Sequence, residues 1–461
     1  MITLTYLEFY SGIGGWGYAL EHALRNIAAA PPPLEQPQQL HCQLLCAYDH
    51  SDICKNVFVH NHNQNKKLFR QTPIERITRE QLETHAAHIW CMSPPCQPHT
   101  RQHSNQQCEM DDPRSKSFLH LCDMIGIMEE STLPCLILLE NVVGFELSGT
   151  TVDGDDTQTQ STNDSEPNQQ QQIRRGSFQT WREVLSKREY HVAHLHLDPP
   201  DIGIPNARPR HYTVAFRPGS LHAKVKDATV SAQLKSSCNY HNLFAKEILD
   251  KPPIIHGPKS LGTTPPKLPC IGDFLDADCE LEPLRIPEKV WSSSSAWCFD
   301  VVTPLHHRSA CFTHSYAKFV RGTGSILYTG PIETESKDSD EIDKTNRKRD
   351  RATAFLADTI FDLEAPEART FDADWSNDID WENDMRYLSG TEIARLMGFP
   401  VSKPAVRTSA AAHDGIDKAF RMFSFPSTVS VKQQWKLLGN SLNVQVAGTV
   451  AEIGIKSLFM Q

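Results

Sequence analysis

Four short stretches of the chain carry the groups best suited to chemistry. Ser93-Pro94-Pro95-Cys96-Gln97-Pro98 sets a thiol between prolines, on a rigid segment directly after an apolar run, where a core cysteine is not expected. A nucleophilic cysteine needs thiolate character, and free thiols titrate near ~8.5, so a helix dipole or a nearby arginine must assist. Glu140-Asn141-Val142 follows a second apolar run, and Arg208-Pro209-Arg210 supplies two guanidinium groups just before a third. Gly12, Gly14 and Gly17 satisfy G-x-G-x-x-G in a turn that follows the apolar run from 2 to 9, which suits a nucleotide-like ligand. Asp49 closes the next apolar run, where a carboxylate accepts hydrogen bonds from ribose hydroxyls. Its separation from Gly17 exceeds the usual ~20 residues, and a loop insertion at 31–39 accounts for the excess. Alone, this glycine loop fits NAD, FAD and S-adenosylmethionine equally.

The elements that must position these groups follow from periodicity. Residues 2–9, 44–48, 89–92 and 135–139 are short apolar, β-branched runs, separated by helical stripes at 18–27, 51–61 and 115–130. Strands alternating with helices imply right-handed crossovers and a mainly parallel sheet. Ligands in such sheets sit beyond the carboxyl ends of the strands, where the glycine loop, Asp49, the Cys96 segment and Glu140 fall. A helix at 178–188 and strands at 192–197 and 212–216 continue the pattern. Ser389-x-x-Glu392 and Ser430-x-x-Gln433 read as capping boxes opening two helices, and 444–459 reads as a final apolar helix.

This predicts an α/β Rossmann-like catalytic domain over 1–217 with a disordered insert at 150–176. A small inserted domain over 218–330 and an acidic flexible insert over 331–385 follow. Helices over 386–461 then dock back on the first domain. Trp375 and Trp381 are the candidate anchors of the acidic insert.

The chain holds 46 Lys+Arg against 56 Asp+Glu, a net charge of −10. Residues 333–384 alone contain 17 acids and 7 bases, and 151–172 contain five acids and no base. Without them, 39 bases face 34 acids, so the body is mildly basic and compatible with a polyanionic partner. Thirteen cysteines with no C-x-x-C pair read as reduced thiols rather than a disulfide framework, and no metal is expected. No apolar run approaches the roughly 18 residues of a membrane span, and Glu8 interrupts the first apolar stretch, against a secretory signal. No membrane partner is expected.

The chain resembles the cytosine-C5 methyltransferase family. The resemblance rests on the loop at 9–15, Pro94-Pro95-Cys96, Glu140-Asn141-Val142, the pair Arg208 and Arg210, and Gly439-Asn440-Ser441, all in the family's order. Within the family it looks most like the tRNA cytosine-5 methyltransferases that are similar to DNA methyltransferases. The finer signs are Cys311-Phe312-Thr313, Tyr316, Gly322-Thr323-Gly324-Ser325, the stretch from Arg386-Tyr387-Leu388 to Gly398-Phe399-Pro400, and Leu438 to Val444.

The resemblance implies S-adenosyl-L-methionine as methyl donor and a cytosine in the anticodon loop of tRNA(Asp) as acceptor. Cytosine C5 is too weak a nucleophile unaided. Cys96 would add to C6, Glu140 would hold N3 and the exocyclic amine, and Arg208 and Arg210 would orient the base. Ile13, Gly14 and Gly15 would meet the methionine part of the donor and Asp49 its ribose. Ile74 and Glu75 would lie by the adenine, with Ser93 and Ser441 lining the pocket. Two departures stand out: His99 replaces the family's usual Phe, and residues 100–111 lack its glycines. The alternatives are a DNA cytosine-5 methyltransferase and a catalytically weak tRNA- or chromatin-binding homologue. tRNA is the expected partner, with DNA a weaker second. The cytoplasm is the expected compartment, with the nucleus a second. The basic cluster Lys344, Arg347, Lys348, Arg349 and Arg351 reads as a solvated charge run ahead of an import signal or a tRNA contact.

Overall fold

The computed structural model describes residues 2–29, 40–95, 115–147, 176–221, 243–244, 254–257, 266–277, 279–330, 380–402 and 421–459. Cys96, His99 and the loop after it, the insertion at 31–39, most of both acidic inserts and the 344–351 cluster lie outside these residues.

The apolar runs form the strands of one sheet. They are Ile2–Phe9 (β1), Leu40–Tyr48 (β2), Phe69–Arg70 (β3), Ile89–Met92 (β4), Leu136–Val142 (β5), His191–Leu197 (β6), Arg210–Phe216 (β7) and Ile254–His256 (β8). The order across the sheet is β3-β2-β1-β4-β5-β7-β6-β8. Only β7 runs against its neighbours, pairing antiparallel with both β5 and β6. The link from β6 to β7 holds one short 3-10 turn, Pro199–Ile202, and no crossover helix, so a parallel return is not available. The chain reverses its winding between β1 and β4, so the loops after these two strands open a crevice at the sheet's carboxyl edge.

Helices Gly15–Ala29 (α1), Asp52–Asn61 (α2), Arg79–His85 (α3), Lys116–Ile127 (α4) and Ser177–Lys187 (α5) supply the crossovers. One face of the sheet buries Leu4, Tyr6, Leu136, Leu138, Tyr212 and Val214 beneath α1 and the C-terminal helix Val444–Ser457. The other buries Leu7, Phe9, Trp90, Ile137 and Leu139 beneath α4 and α5. Both faces are covered, which explains why the strands read as continuous apolar runs rather than alternating ones.

A smaller three-stranded sheet joins Asp300–Val302 (β9), Ser325–Tyr328 (β10) and Met385–Arg386 (β11). After a single helical turn, Glu288–Trp291 (α6), the ordered helices are Gly390–Leu396 (α7), Val431–Gly439 (α8) and Val444–Ser457 (α9). Ser389 and Ser430 form the capping boxes, with Glu392 and Gln433 reaching back. The Asn443 side chain caps α9 by accepting from the Gln445 and Val446 N–H groups at 3.1 Å each.

Two strands cross the boundaries drawn from sequence. β8 falls after residue 217 yet extends the large sheet beside β6, and β11 straddles residue 385 yet belongs to the small sheet. Membership of a sheet depends on which edge is open, which local composition does not record. Trp381 is buried, stacked on Trp291 with ring centroids 6.2 Å apart.

Candidate active site

The glycine loop owes its shape to backbone requirements. Gly14 adopts φ +87°, a left-handed conformation, and a Cβ there would press on Phe58 and His62 at 3.1–3.2 Å. The Ser11 N–H donates to the Tyr48 carbonyl at 3.0 Å, joining the ends of β1 and β2. Asp49 completes the join. Its Oδ2 accepts from the Gly12 N–H at 2.8 Å and its Oδ1 from the Ser51 N–H at 2.9 Å. A carboxylate offers about four lone-pair sites, so half its accepting capacity remains for ribose hydroxyls. Among the described residues, a Cβ on Gly12 would meet nothing within 4 Å, which leaves room over the loop. The Ser11 hydroxyl is buried with no hydrogen-bond partner among the described residues. These features fit a polar ligand at the crevice between β1 and β4.

One residue here escaped the sequence reading. Glu8 is buried beneath the loop, and its Oε1 accepts from the Trp16 N–H at 3.1 Å, in the first turn of α1. Burial raises its pKa to about 8, against the lowering effects of the Trp16 N–H and the Arg421 guanidinium. An acid inside an otherwise apolar strand was the available signal, because a buried carboxyl persists only where donors meet it.

The remaining donor-site candidates separate. Ser93 directly follows β4, and its Oγ accepts from the Trp16 indole N–H at 3.0 Å, so it lines the same crevice. Ser441 approaches from the C-terminal segment, with its Oγ 3.4 Å from where a Cβ on Gly15 would stand. Ile13, in the turn just before α1, is buried in the larger core cluster. Ile74 is buried with Phe9 and Tyr48 on the other face, beside the ends of β1 and β2, while Glu75 is exposed.

At the acceptor side, Glu140 is buried near the end of β5, and its Oε1 lies 3.1 Å from Arg210 Nε. The register pairs Glu140 with Tyr212 and Val142 with Arg210, so carboxylate and guanidinium are diagonal neighbours on one face. A carboxyl group held by a guanidinium can accept from an exocyclic amine and face the ring nitrogen beside it. Pro94 is buried and Pro95 exposed, so the chain leaves the sheet edge toward Cys96, itself outside the described residues.

Arg208 does not share the task of Arg210. It is fully buried, and its guanidinium donates to the carbonyls of Phe312 at 3.0 Å, Gly439 at 3.1 Å and Ser441. Cys311 Sγ lies 3.4 Å away, and the Arg208 N–H donates to Asp198 Oδ1 at 2.6 Å. With its NH1 and NH2 groups spent on backbone carbonyls, it positions the site rather than orienting a base. It stitches the start of β7 to the small lobe and to the C-terminal segment. Gly439 is essential to that junction. A Cβ there would stand 2.1–2.3 Å from the Thr313 carbonyl and the His314 nitrogen. The separate signatures Arg208, Cys311-Phe312-Thr313 and Gly439-Asn440-Ser441 are thus parts of one joint.

A model of the C-5 cytosine-specific DNA methylase family matches residues 4–154 and 167–456. The chain is 28% identical to a human tRNA (cytosine(38)-C(5))-methyltransferase, over 98% of this chain and 99% of the relative. It is 25% identical to a Schizosaccharomyces pombe protein of the same name, over 99% and 98%. A Dictyostelium discoideum DNA (cytosine-5)-methyltransferase is 26% identical over 98% and 94%. Among solved structures, the Entamoeba histolytica methyltransferase EhMeth superposes with a TM-score of 0.61 at 22% identity, covering 99% of each chain. The S. pombe Dnmt2 methyltransferase gives 0.56 at 24%, again covering 99% of each. The fold is that of an α/β S-adenosylmethionine-dependent methyltransferase.

Proposed function

The chain belongs to the C-5 cytosine-specific DNA methylase family, and from that premise we propose that it methylates C5 of a cytosine in the anticodon loop of tRNA. Cytosine 38 of tRNA(Asp) is the first candidate. S-adenosylmethionine, the family's methyl donor, supplies an electrophilic methyl group on a sulfonium centre. The loop at 11–15, Asp49, Ser93 and Ser441 would hold it, in the crevice whose open space and unused acceptors fit a polar ligand.

The chain's own residues do the rest. The Cys96 thiolate adds to C6 of the base, forming an S–C6 bond and pushing electron density to C5. Glu140, braced by Arg210 at 3.1 Å, accepts from the exocyclic amine, and its carboxyl group passes a proton to N3 as that density develops, regaining it when the ring is restored. C5 would then take the methyl group as the donor's S–CH3 bond breaks, its electron pair remaining on sulfur as a neutral thioether. Loss of the C5 proton to a base, with cleavage of the S–C6 bond, restores the aromatic ring and returns the thiolate. A loop cytosine is cheaper to unstack than one in a duplex, which favours an anticodon loop as acceptor.

The observation that carries this reading is the Glu140–Arg210 pair at the carboxyl edge, one strand away from the segment that leads to Cys96. The choice of tRNA over DNA rests on similarity to tRNA methyltransferases along nearly the whole of both chains, small lobe included. The Dictyostelium relative keeps DNA as the second reading. Labelled methyl transfer to tRNA(Asp) transcript and to duplex DNA, side by side, decides between them. Labelled tRNA with blank DNA is expected; labelled DNA with blank tRNA would overturn the substrate assignment while leaving the chemistry intact.

A further inference from the structure

Behind Arg210, on the opposite face of the same strands, lies a second cluster with no part in methyl transfer. Glu146 follows β5 in a 3-10 turn, Phe145–Leu147, His196 lies near the end of β6, and His211 is the second residue of β7. His196 and His211 are register partners, so both imidazoles project to one face. His196 Nε2 stands 3.3 Å from Glu146 Oε1, His211 Nδ1 stands 3.5 Å from Glu146 Oε2, and the two nitrogens are 3.2 Å apart. One ligand atom from each of the three residues falls within 4.8 Å of the others.

These separations match a coordination sphere. Ligands about 2.0–2.1 Å from a tetrahedral zinc ion stand roughly 3.3–3.4 Å from one another. His211 Nε2 lies 3.3 Å from Thr213 Oγ1, the outer contact that fixes a ligating imidazole's tautomer. Side-chain exposure of 12% for His196 and 8% for Glu146 leaves a way in for an ion, while His211 is closed off.

We propose that Glu146, His196 and His211 bind a divalent transition metal, zinc above others, with three protein ligands and a fourth position open to solvent. Two imidazoles disfavour magnesium and calcium, which take oxygen ligands. The ion would tie β6 and β7 to the turn that follows Glu140-Asn141-Val142, stiffening the support of the acceptor site without entering its chemistry. This departs from the expectation of no metal, since residues far apart in sequence meet only when β6 and β7 pair.

The test is cobalt(II) titration of the full-length chain stripped of metal with a chelator. One equivalent should bind with visible d–d bands and without the near-ultraviolet charge-transfer band of a cysteine thiolate. His196→Ala and Glu146→Gln should each weaken that binding at least about a hundredfold, and Thr213→Val about tenfold. X-ray absorption of the zinc-loaded wild type should show nitrogen and oxygen scatterers only, which decides the matter even if a variant fails to fold. No binding, binding that survives His196→Ala, or sulfur in the coordination sphere would overturn the site.

Discussion

Arg208 and Arg210 stand two residues apart and answer to different physics. Arg208 is a buried cation neutralised by backbone carbonyls from two distant segments, so its removal strands those acceptors. Each unsatisfied buried acceptor costs about 1–3 kcal/mol. Arg208→Lys, which cannot reach three carbonyls at once, should lower stability by about 3 kcal/mol in urea unfolding. Arg210→Ala should cut kcat by roughly a hundredfold or more, with donor affinity unchanged. An unchanged kcat in Arg210→Ala would erase the distinction. Asp49→Ala should weaken S-adenosylmethionine binding by about one to two orders of magnitude in calorimetry, since hydrogen bonds to a charged group contribute about 1.5–3 kcal/mol each. An unchanged dissociation constant would remove Asp49 from the ribose. The site was legible in sequence to the extent that its residues are local to strand ends. Arg208 was not, because its partners are 104 and 231 residues away and no local pattern records them.

The first helix depends on Glu8, which meets the N–H groups of its opening turn from beneath. The folded carboxyl titrates at about 8 and the free one near 4.5, with burial the main cause. Between those values the folded state holds a proton that the unfolded state has released, so stability falls as pH rises and levels off above about 8. Relative to Glu8→Gln, the wild-type melting temperature should therefore decline between roughly pH 5 and pH 8. Parallel curves for the two proteins would contradict the assignment. Strand and helix positions were legible because both faces of the sheet are covered, which turns buried strands into plain apolar runs. β3 and β8 are two and three residues long and carry no period to read. The reversed β7 was equally hidden, because direction is set by the missing crossover helix rather than by the strand's own residues.

The molecule closes on itself through its C-terminus. α9 packs along α1 and lies over β5, burying Val446, Ala447, Val450, Ala451 and Ile453 against the same core as β1. Removing 444–459 should expose that face and abolish cooperative unfolding, with near-ultraviolet circular dichroism lost while far-ultraviolet signal persists. A truncated chain that melts cooperatively would show the helix to be an accessory. The docking of the last helices was legible from their apolar composition, whereas the joint at Gly439, where small lobe and catalytic sheet meet, was not. A glycine needed for close backbone approach looks in sequence like any other helix terminator.

Catalysis by this chain turns on Cys96 attacking the base that Glu140 and Arg210 hold. The most direct test uses tRNA(Asp) carrying 5-fluorocytosine, whose C5 substituent cannot leave as a proton and so blocks the final elimination. With S-adenosylmethionine present, the wild-type chain should form a denaturant-resistant complex with this RNA. Cys96→Ala should form none while still binding the donor. A complex that persists in Cys96→Ala, or methylated tRNA from a wild-type enzyme that never traps, would contradict covalent catalysis through this thiol.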